Sequence, residues 1–527
     1  MRSSLALEAG VDTCARALAL GVVLVLALVL ARPIRASASG KVPSTAIRIN
    51  IDARAPGKPF PHFWEQAFGS GRAILALRES YRSDLALLKQ ATDLHYLRFH
   101  AILHDEVGVY DEDAQGNPFY NFSYVDEIYD GLLARGVRPF VEISFMPKKL
   151  ALRQDLHPFW YKQNVSPPKD YAKWDQLIRA FTAHLVQRYG IDEVAQWYFE
   201  VWNEPNIDFW SGEPKQATYF ELYDHTARDL KSVDARLRVG GPATAAADWV
   251  PEFIAHVAQH QVPVDFVSTH GYADDTVENL FHSNADIPVD ERVCRAVGKV
   301  RGEIGQSALP SLPLMWTEWN VPSFGEDYRA RDTTYVGAAL AEDIRQCDGL
   351  VEIMSYWTFD DVFEENGVVR EPFHGGFGTI AAGGIRKPAY YAFELLHRLG
   401  ETRLANDAPG VLVTRREDGT LVIALWNLVD PEKSGLQRRV TVQFSHVNPG
   451  GTVSLRRVDA AHGNVLPAYA ALGSPRYPTP TQVAELNRRS APWPYAALRL
   501  RAGKLRLVVP VNGLLVLEVP HGSRYHL

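Results

Sequence analysis

The residue types and spacing that promise chemistry lie in two short segments, Trp197–Trp210 (WYFEVWNEPNIDFW) and Leu314–Asn320 (LMWTEWN). Each is a run of aromatic and β-branched residues that reads as a strand, and each breaks at a glutamate, Glu204 in the first and Glu318 in the second. Such a break sets a carboxyl group at the C-terminal tip of a strand. Two glutamates so placed are what cleavage of a glycosidic bond requires, one donating a proton to the leaving oxygen and one attacking the anomeric carbon. A carboxyl separation of about 5–5.5 Å would make the reaction retaining. Asn203 adds an amide beside the first acid, suited to donate to the sugar's 2-hydroxyl. Glu204 must then start protonated, above its ordinary value of about 4.3, a shift that a Glu318 carboxylate nearby promotes. Of the aromatics around the two glutamates, Trp202, Trp210, Trp316 and Trp319, about half are expected as core and the others as platforms for sugar faces.

Placing two strand tips face to face calls for a closed parallel sheet. Between about residues 60 and 400, short apolar runs alternate with helical periodicity, which is the pattern of βα units. The expected strands are Trp64–Phe68, Tyr96–His100, Arg138–Ser144, Trp197–Trp202, Leu237–Gly241, Phe266–His270, Leu314–Glu318 and Ile353–Trp357. Helical spacing links them, for example Val125, Ile128, Tyr129, Leu132 and Leu133, or Trp174, Leu177, Ile178 and Phe181. Eight strands with eight crossovers predict an α/β fold, a (β/α)8 TIM barrel over residues 59–400, whose site lies at the strands' C-terminal ends with Glu204 after the fourth and Glu318 after the seventh. A long segment with Pro167-Pro168 follows the third strand and is a candidate wall of the site. Beyond Gly400 the pattern changes to short alternating runs around turns such as Glu417-Asp418-Gly419, which predicts an accessory β-sandwich domain over 401–527. Ala46–Asp52 alternates likewise, so 39–58 is expected to add a strand to that sandwich.

Composition bounds the alternatives. The chain has 527 residues, 46% of them hydrophobic, with 55 basic and 62 acidic residues for a net charge of −7. No Lys/Arg cluster marks a nucleic-acid surface, so nucleic acid is not expected as a partner. None of the 17 His and three Cys has the HExxH or CxxC spacing of a metal site. Metal and cofactor are both expected to be absent. Arg2 and Arg16, the apolar run Ala17–Ala31 and the small residues Ala36-Ser37-Ala38 read as a signal peptide over 1–38, hence export to the periplasm or the medium; Glu8 and Asp12 leave an uncleaved anchor as the alternative. Cys14 would leave with the signal, and Cys294 and Cys347 remain as two buried thiols or one bridge.

The chain resembles glycoside hydrolase family 39, the family of β-xylosidases and α-L-iduronidases. The resemblance extends beyond the glutamates to FGSGRA (Phe68–Ala73), LRFHAILHDEVGVY (Leu97–Tyr110), GGPAT (Gly240–Thr244), DFVSTHGY (Asp265–Tyr272), SYWTFDDVFEE (Ser355–Glu365), FHGGFG (Phe373–Gly378) and IRKPAYYAF (Ile385–Phe393). It implies that Glu204 is the acid/base, Glu318 the nucleophile, and Asn203, His270, Tyr272 and Glu365 substrate-contacting positions. His100, Trp357 and Glu364 complete the candidate set. His104 and Asp105 are expected to organise the loop after the second strand, and Tyr272 to hold the Glu318 carboxylate.

The sugar is decided by charge. A uronate needs a cation in its pocket, and the loop after the sixth strand, GYADDTVENLFHSNADIPVDE, has no Lys or Arg before Arg292. A neutral sugar fits it better, so the expectation is a retaining, exo-acting β-xylosidase that takes xylo-oligosaccharides or aryl xylosides, in a chain that is a monomer or a homo-oligomer. Arg386, on another loop, keeps open the alternative of a relative acting on a uronate or an exopolysaccharide. A non-catalytic carbohydrate-binding protein is the alternative of another class.

Overall fold

The computed structural model describes residues 44–324, 328–491 and 495–521. The expected export segment 1–38 lies outside the described residues. Among those described, no helix is long and apolar enough to cross a membrane.

Eight parallel strands close into a barrel: Ala67–Arg72, Tyr96–His100, Arg138–Ile143, Tyr198–Val201, Arg238–Thr244, Phe266–His270, Leu314–Trp319 and Ile353–Tyr356. They neighbour one another in chain order, and the eighth closes on the first through Ser355 against Ala67 and Tyr356 against Phe68. The first strand begins three residues later than the apolar run suggests, because residues 63–65 form a turn ahead of it. Helices cross between successive strands. The one over Tyr171–Tyr189 illustrates why they form: Asp170 caps it by accepting from the backbone N–H of Ala172 and Lys173, Trp174, Leu177, Ile178, Phe181 and Leu185 bury one stripe, and Gly190 at φ 78° ends it.

Side-chain alternation fills the barrel in layers. Ala67, Phe140, Phe266, Met315 and Ile353 form an apolar plug near the strand starts. Two residues further along their strands, Phe140 gives way to Glu142, Tyr198 to Glu200 and Tyr96 to Arg98. The site is built on that charged layer.

Besides the two-stranded pairs Tyr110–Glu112 with Pro118–Tyr120 and Ile380–Ala381 with Ile385–Arg386, two larger sheets stand outside the barrel. Ser44–Asp52 pairs in parallel with Gln437–Ser445, which pairs antiparallel with Lys504–Val509. A seven-stranded sheet runs in the order Gly57–Pro59, Thr402–Leu404, Val411–Arg415, Leu421–Trp426, Leu514–Val519, Thr452–Val458 and Ala496–Arg499. One cluster joins the two, with Ile49, Val442 and Phe444 from the smaller sheet against Val413, Ile423 and Leu517 from the larger. The alternate residues Leu412, Val422, Trp426, Leu514 and Val516 belong to the barrel's own cluster. The larger sheet is therefore buried on both faces, which is why LVIALW is apolar throughout. Two helices, Leu466–Ala471 and Pro480–Ser490, interrupt the strands that the sequence led one to expect, and Val465 and Leu486 pack on Ala381 and Ile385. Cys294 and Cys347 form a disulfide between the helices that follow the sixth and seventh strands, with Cα atoms 5.0 Å apart.

Candidate active site

Arg98, fully buried on the second strand, organises the site. Its Nε donates to Glu200 Oε2 at 2.6 Å and its Nη1 to Glu318 Oε1 at 2.6 Å. Nη2 donates to Asn203 Oδ1 at 2.9 Å and lies 2.9 Å from Glu142 Oε2. The planar guanidinium thus ties strands three and four to strand seven in a fixed fork, which a flexible ammonium would not reproduce. Because Arg98 only donates, the Asn203 amide must turn its oxygen to it, leaving the NH2 group to donate elsewhere.

Glu204 follows the fourth strand on a backbone held open by positive φ at Trp202 (72°) and at Glu204 itself (44°). Its N–H donates to Ala243 O at 2.8 Å, so the fifth strand's tip fixes that turn. Non-glycine residues in this region carry strain, and such strain concentrates at functional sites. Burial pushes the Glu204 carboxyl up to about 7, although the positive charges of His100 and Arg98 pull the other way. Glu318, from the seventh strand, accepts from Arg98 on one oxygen and from Tyr272 Oη at 2.7 Å on the other. The Tyr272 hydroxyl is driven well above its usual range by burial and by Glu318.

His270 sits between the two acids. Its Nδ1 is 3.0 Å from Glu204 Oε1 and 3.6 Å from Glu318 Oε1, while Nε2 is 3.4 Å from Arg98 Nη2. Burial and Arg98 lower His270 to about 4, so the ring is neutral at working pH. With a guanidinium at Nε2, the ring proton sits on Nδ1 and points at Glu204. One carboxyl oxygen from each acid and one His270 nitrogen all lie within 4.8 Å of one another. That bound on one oxygen from each acid places the pair with the close carboxyls of a retaining reaction, about 5–5.5 Å apart, rather than the about 6.5–9.5 Å of an inverting one.

The remaining candidates divide. His100 is buried, with Nδ1 2.6 Å from Glu142 and Nε2 3.9 Å from both Glu318 and Glu365. Burial works against its protonation, but Glu142 and then Glu318 raise it overall. Trp357 lies against His100 with ring centroids 4.7 Å apart, and Gly69 makes room for it, since a Cβ there would come within 2.1 Å of the indole. Glu365 faces the site and is pushed up to about 8 by burial and by the charges of Glu318 and Glu204. Glu364, expected beside it as a sugar contact, is instead clamped by Arg72 Nη1 at 3.0 Å and by Arg78 at 2.5 and 3.1 Å. Both its oxygens are occupied in anchoring the loop after the eighth strand. Trp202, Trp210, Trp316 and Trp319 are all fully buried, so none offers the sugar platform expected of about half of them. Trp202 and Trp316 spend their indole N–H groups on the carbonyls of Phe209 and Gly271.

The loop after the third strand does form a wall: Trp160 N–H donates to Glu365 O at 2.7 Å. A cavity of 540 Å³ opens beside Glu365, lined by Phe363, Asn366, His374 and Phe377. Sequence reasoning missed Arg98, Glu142 and Glu200. The signal was there, a lone charge inside each of three apolar strands, LRFH, FVEI and YFEV. Among the described residues the triplet Glu204, His270 and Glu318 has the spacing to hold a cation, as do His62, Glu65 and His397.

A family model for glycosyl hydrolases family 39 matches residues 47–503. The chain belongs to glycosyl hydrolases family 39. It is 40% identical over 452 residues to a β-xylosidase of Geobacillus stearothermophilus, covering 83% of this chain and 88% of that protein. A β-xylosidase of Caldicellulosiruptor saccharolyticus is 36% identical over 443 residues, 81% of this chain and 88% of its own. Among solved structures, a monomeric β-xylosidase from Caulobacter crescentus CB15 superposes with a TM-score of 0.80 at 35% identity, covering 91% of this chain and 100% of that one. As a family 39 member the chain is a glycoside hydrolase, and this family's enzymes retain anomeric configuration.

Proposed function

We propose that this family 39 enzyme is an exo-acting β-xylosidase that releases xylose from the non-reducing ends of xylo-oligosaccharides by double displacement. The observation that carries the reading is the placement of Glu204 and Glu318 within 4.8 Å across a buried, neutral His270. Glu204 protonates the glycosidic oxygen while Glu318 attacks the anomeric carbon, which forms a covalent xylosyl ester and expels the leaving sugar. Because His270 Nδ1–H occupies Oε1 of Glu204, the acidic proton resides on Oε2. With Glu318 esterified, Glu204 takes a proton from water, and that water displaces the sugar with a second inversion. Arg98 and Tyr272 hold Glu318 in line for attack, and the Asn203 NH2 group donates to the sugar's 2-hydroxyl. Glu365, protonated at neutral pH, and His100 contact other hydroxyls against the Trp357 ring.

A neutral sugar is supported by how the nearby cations are used. Arg98 serves Glu142, Glu200 and Glu318, Arg72 and Arg78 serve Glu364, and Lys387 serves Asp332 and Asp361. Arg386 stacks over Tyr390. Arg98, Arg72, Arg78 and Lys387 are thus committed to carboxylates, which leaves a uronate without a counter-ion among those four. Export is the accompanying reading, supported by the Cys294–Cys347 bridge, since such bonds persist in oxidising compartments. We read the two sheets that share one cluster as an accessory β-sandwich built from 401–527 and the strand within 39–58.

Glu318→Ala tests the reading. It should abolish hydrolysis of an aryl xyloside and, with azide, yield the α-xylosyl azide. Glu204→Ala should spare aryl xylosides with good leaving groups far more than xylobiose. Near-normal turnover by Glu318→Ala, or equal losses on both substrates for Glu204→Ala, would refute the roles.

A further inference from the structure

Arg98, Arg72, Arg78 and Lys387 near the site are matched to carboxylates, yet a group of cations on the smaller sheet is not. On the outer face of the three-stranded sheet, register aligns Arg48, Thr441 and Arg506 in one row, Asn50, Gln443 and Lys504 in the next, and Ala46, Arg439 and Val508 in a third. Alternation sends Ile49, Val440, Val442 and Leu505 into the core, so these rows face outward. Arg48, Arg439, Lys504 and Arg506 are exposed, and no acid stands in the three rows. Beside this face a groove of 640 Å³ opens between the edge strands Ala496–Arg499 and Lys504–Val509, lined by the part-exposed Leu498 and Leu507 and by Arg499 and Arg501.

In a chain of net charge −7, this concentration of one sign is the unusual fact. Arg48, Arg439, Arg499, Arg501, Lys504 and Arg506 make no ion pair among the described residues. Like charges on neighbouring strands repel and contribute nothing to the sheet's stability. Their arrangement makes sense with a polyanion: guanidinium forks match carboxylates in bidentate geometry, and the field acts over a Debye length of about 8 Å. The groove adds a concave bed in which Leu498 and Leu507 can take the CH faces of sugar rings.

We infer that this face binds a uronate-bearing polysaccharide and so holds the enzyme on acidic carbohydrate. The choice of carbohydrate rests on the xylosidase reading; the choice of a polyanion rests on the surface alone. The probe that separates them is polygalacturonate, an acidic polymer without xylose, in affinity electrophoresis of the full chain. The protein should be retarded by polygalacturonate and by glucuronoxylan, less so as salt rises, and not by a neutral, uronate-free xylan beyond what Glu318→Ala alone explains. Arg48→Ser, Arg439→Ser and Arg506→Ser together should weaken polygalacturonate binding at least tenfold while aryl xyloside turnover stays unchanged. Lys504→Ser alone should give a smaller loss, which guards against a folding defect in the triple variant. Absence of retardation, retardation that survives the triple variant, or equal retention by DNA or phosphatidylglycerol vesicles would overturn the inference. Loss of the xylosidase reading would show separately, as failure on aryl xylosides with polygalacturonate binding intact.

Discussion

A single guanidinium decides the electrostatics of the site. Arg98 is buried among Glu142, Glu200 and Glu318, and its charge is stabilised by those three against the cost of burial. Removing it leaves buried carboxylates without a counter-charge, which costs on the order of 3–5 kcal/mol. Arg98→Met should therefore lower the urea midpoint sharply and abolish aryl xyloside turnover. Arg98→Lys should keep part of the stability and lose on the order of 100-fold or more in kcat, because one ammonium cannot hold Asn203, Glu200 and Glu318 together. Glu204 gives the pH dependence. A carboxyl held up by burial to about 7 donates its proton only below that value. kcat/KM for xylobiose should fall about tenfold per pH unit above 7, measured in initial rates from pH 5 to 9; a plateau to pH 9 would remove Glu204 as the acid.

At the scale of elements, the barrel uses strand alternation to stack an apolar plug, then charges, and sets the Glu204–Glu318 pair above them. The helices behind the sixth and seventh strands, which carry His270 and Glu318, are tied together by Cys294–Cys347 across 53 residues of chain. Closing a loop of that length restricts the unfolded chain by about 4 kcal/mol. Cys294→Ser with Cys347→Ser should lower Tm by several degrees with aryl xyloside kcat nearly unchanged at 25 °C, since the bond lies among the outer helices rather than in the barrel. The strand that carries Arg98 was legible in the sequence, but its role was not. A charge within an apolar run says only that a partner exists; which carboxylates meet it depends on strands far away in the chain.

For the molecule as a whole, the larger sheet is shared property. Its inward face packs on the smaller sheet and its other face on the helices Tyr335–Cys347 and Pro388–Leu396, with Trp426 Nε1 donating to Glu342 Oε2 at 2.9 Å and Arg398 bridging to Glu518. Truncation after Gly400 should thus yield aggregated protein rather than a free barrel, as checked by soluble yield and size exclusion. The buried acids also set a global pH dependence. Glu204 and Glu365 stay protonated in the fold up to about 7 and 8, whereas in the unfolded chain they ionise near 4.3. Between those values the native state binds more protons than the unfolded one, so their contribution falls as pH rises. Calorimetry should find Tm lower at pH 8.5 than at 5.5, and Glu365→Gln should reduce that difference.

The sequence by itself determined the order of the barrel's strands, the two glutamates at strand tips and the family, because periodicity and local motifs are properties of neighbouring residues; the helices Leu466–Ala471 and Pro480–Ser490 it did not give. It also left Glu364 and Glu365 undivided, expected sugar platforms among four tryptophans, and did not raise Arg98, Glu142 and Glu200 as site residues. Only the tertiary structure decided those points, since barrel closure sets which strand tips converge, which of two adjacent carboxyls meets arginines and which meets the site, and which rings are sealed in the core. The charge on Arg48, Arg439 and Arg506 follows the same rule: scattered along the chain, these residues become one surface only when their strands pair.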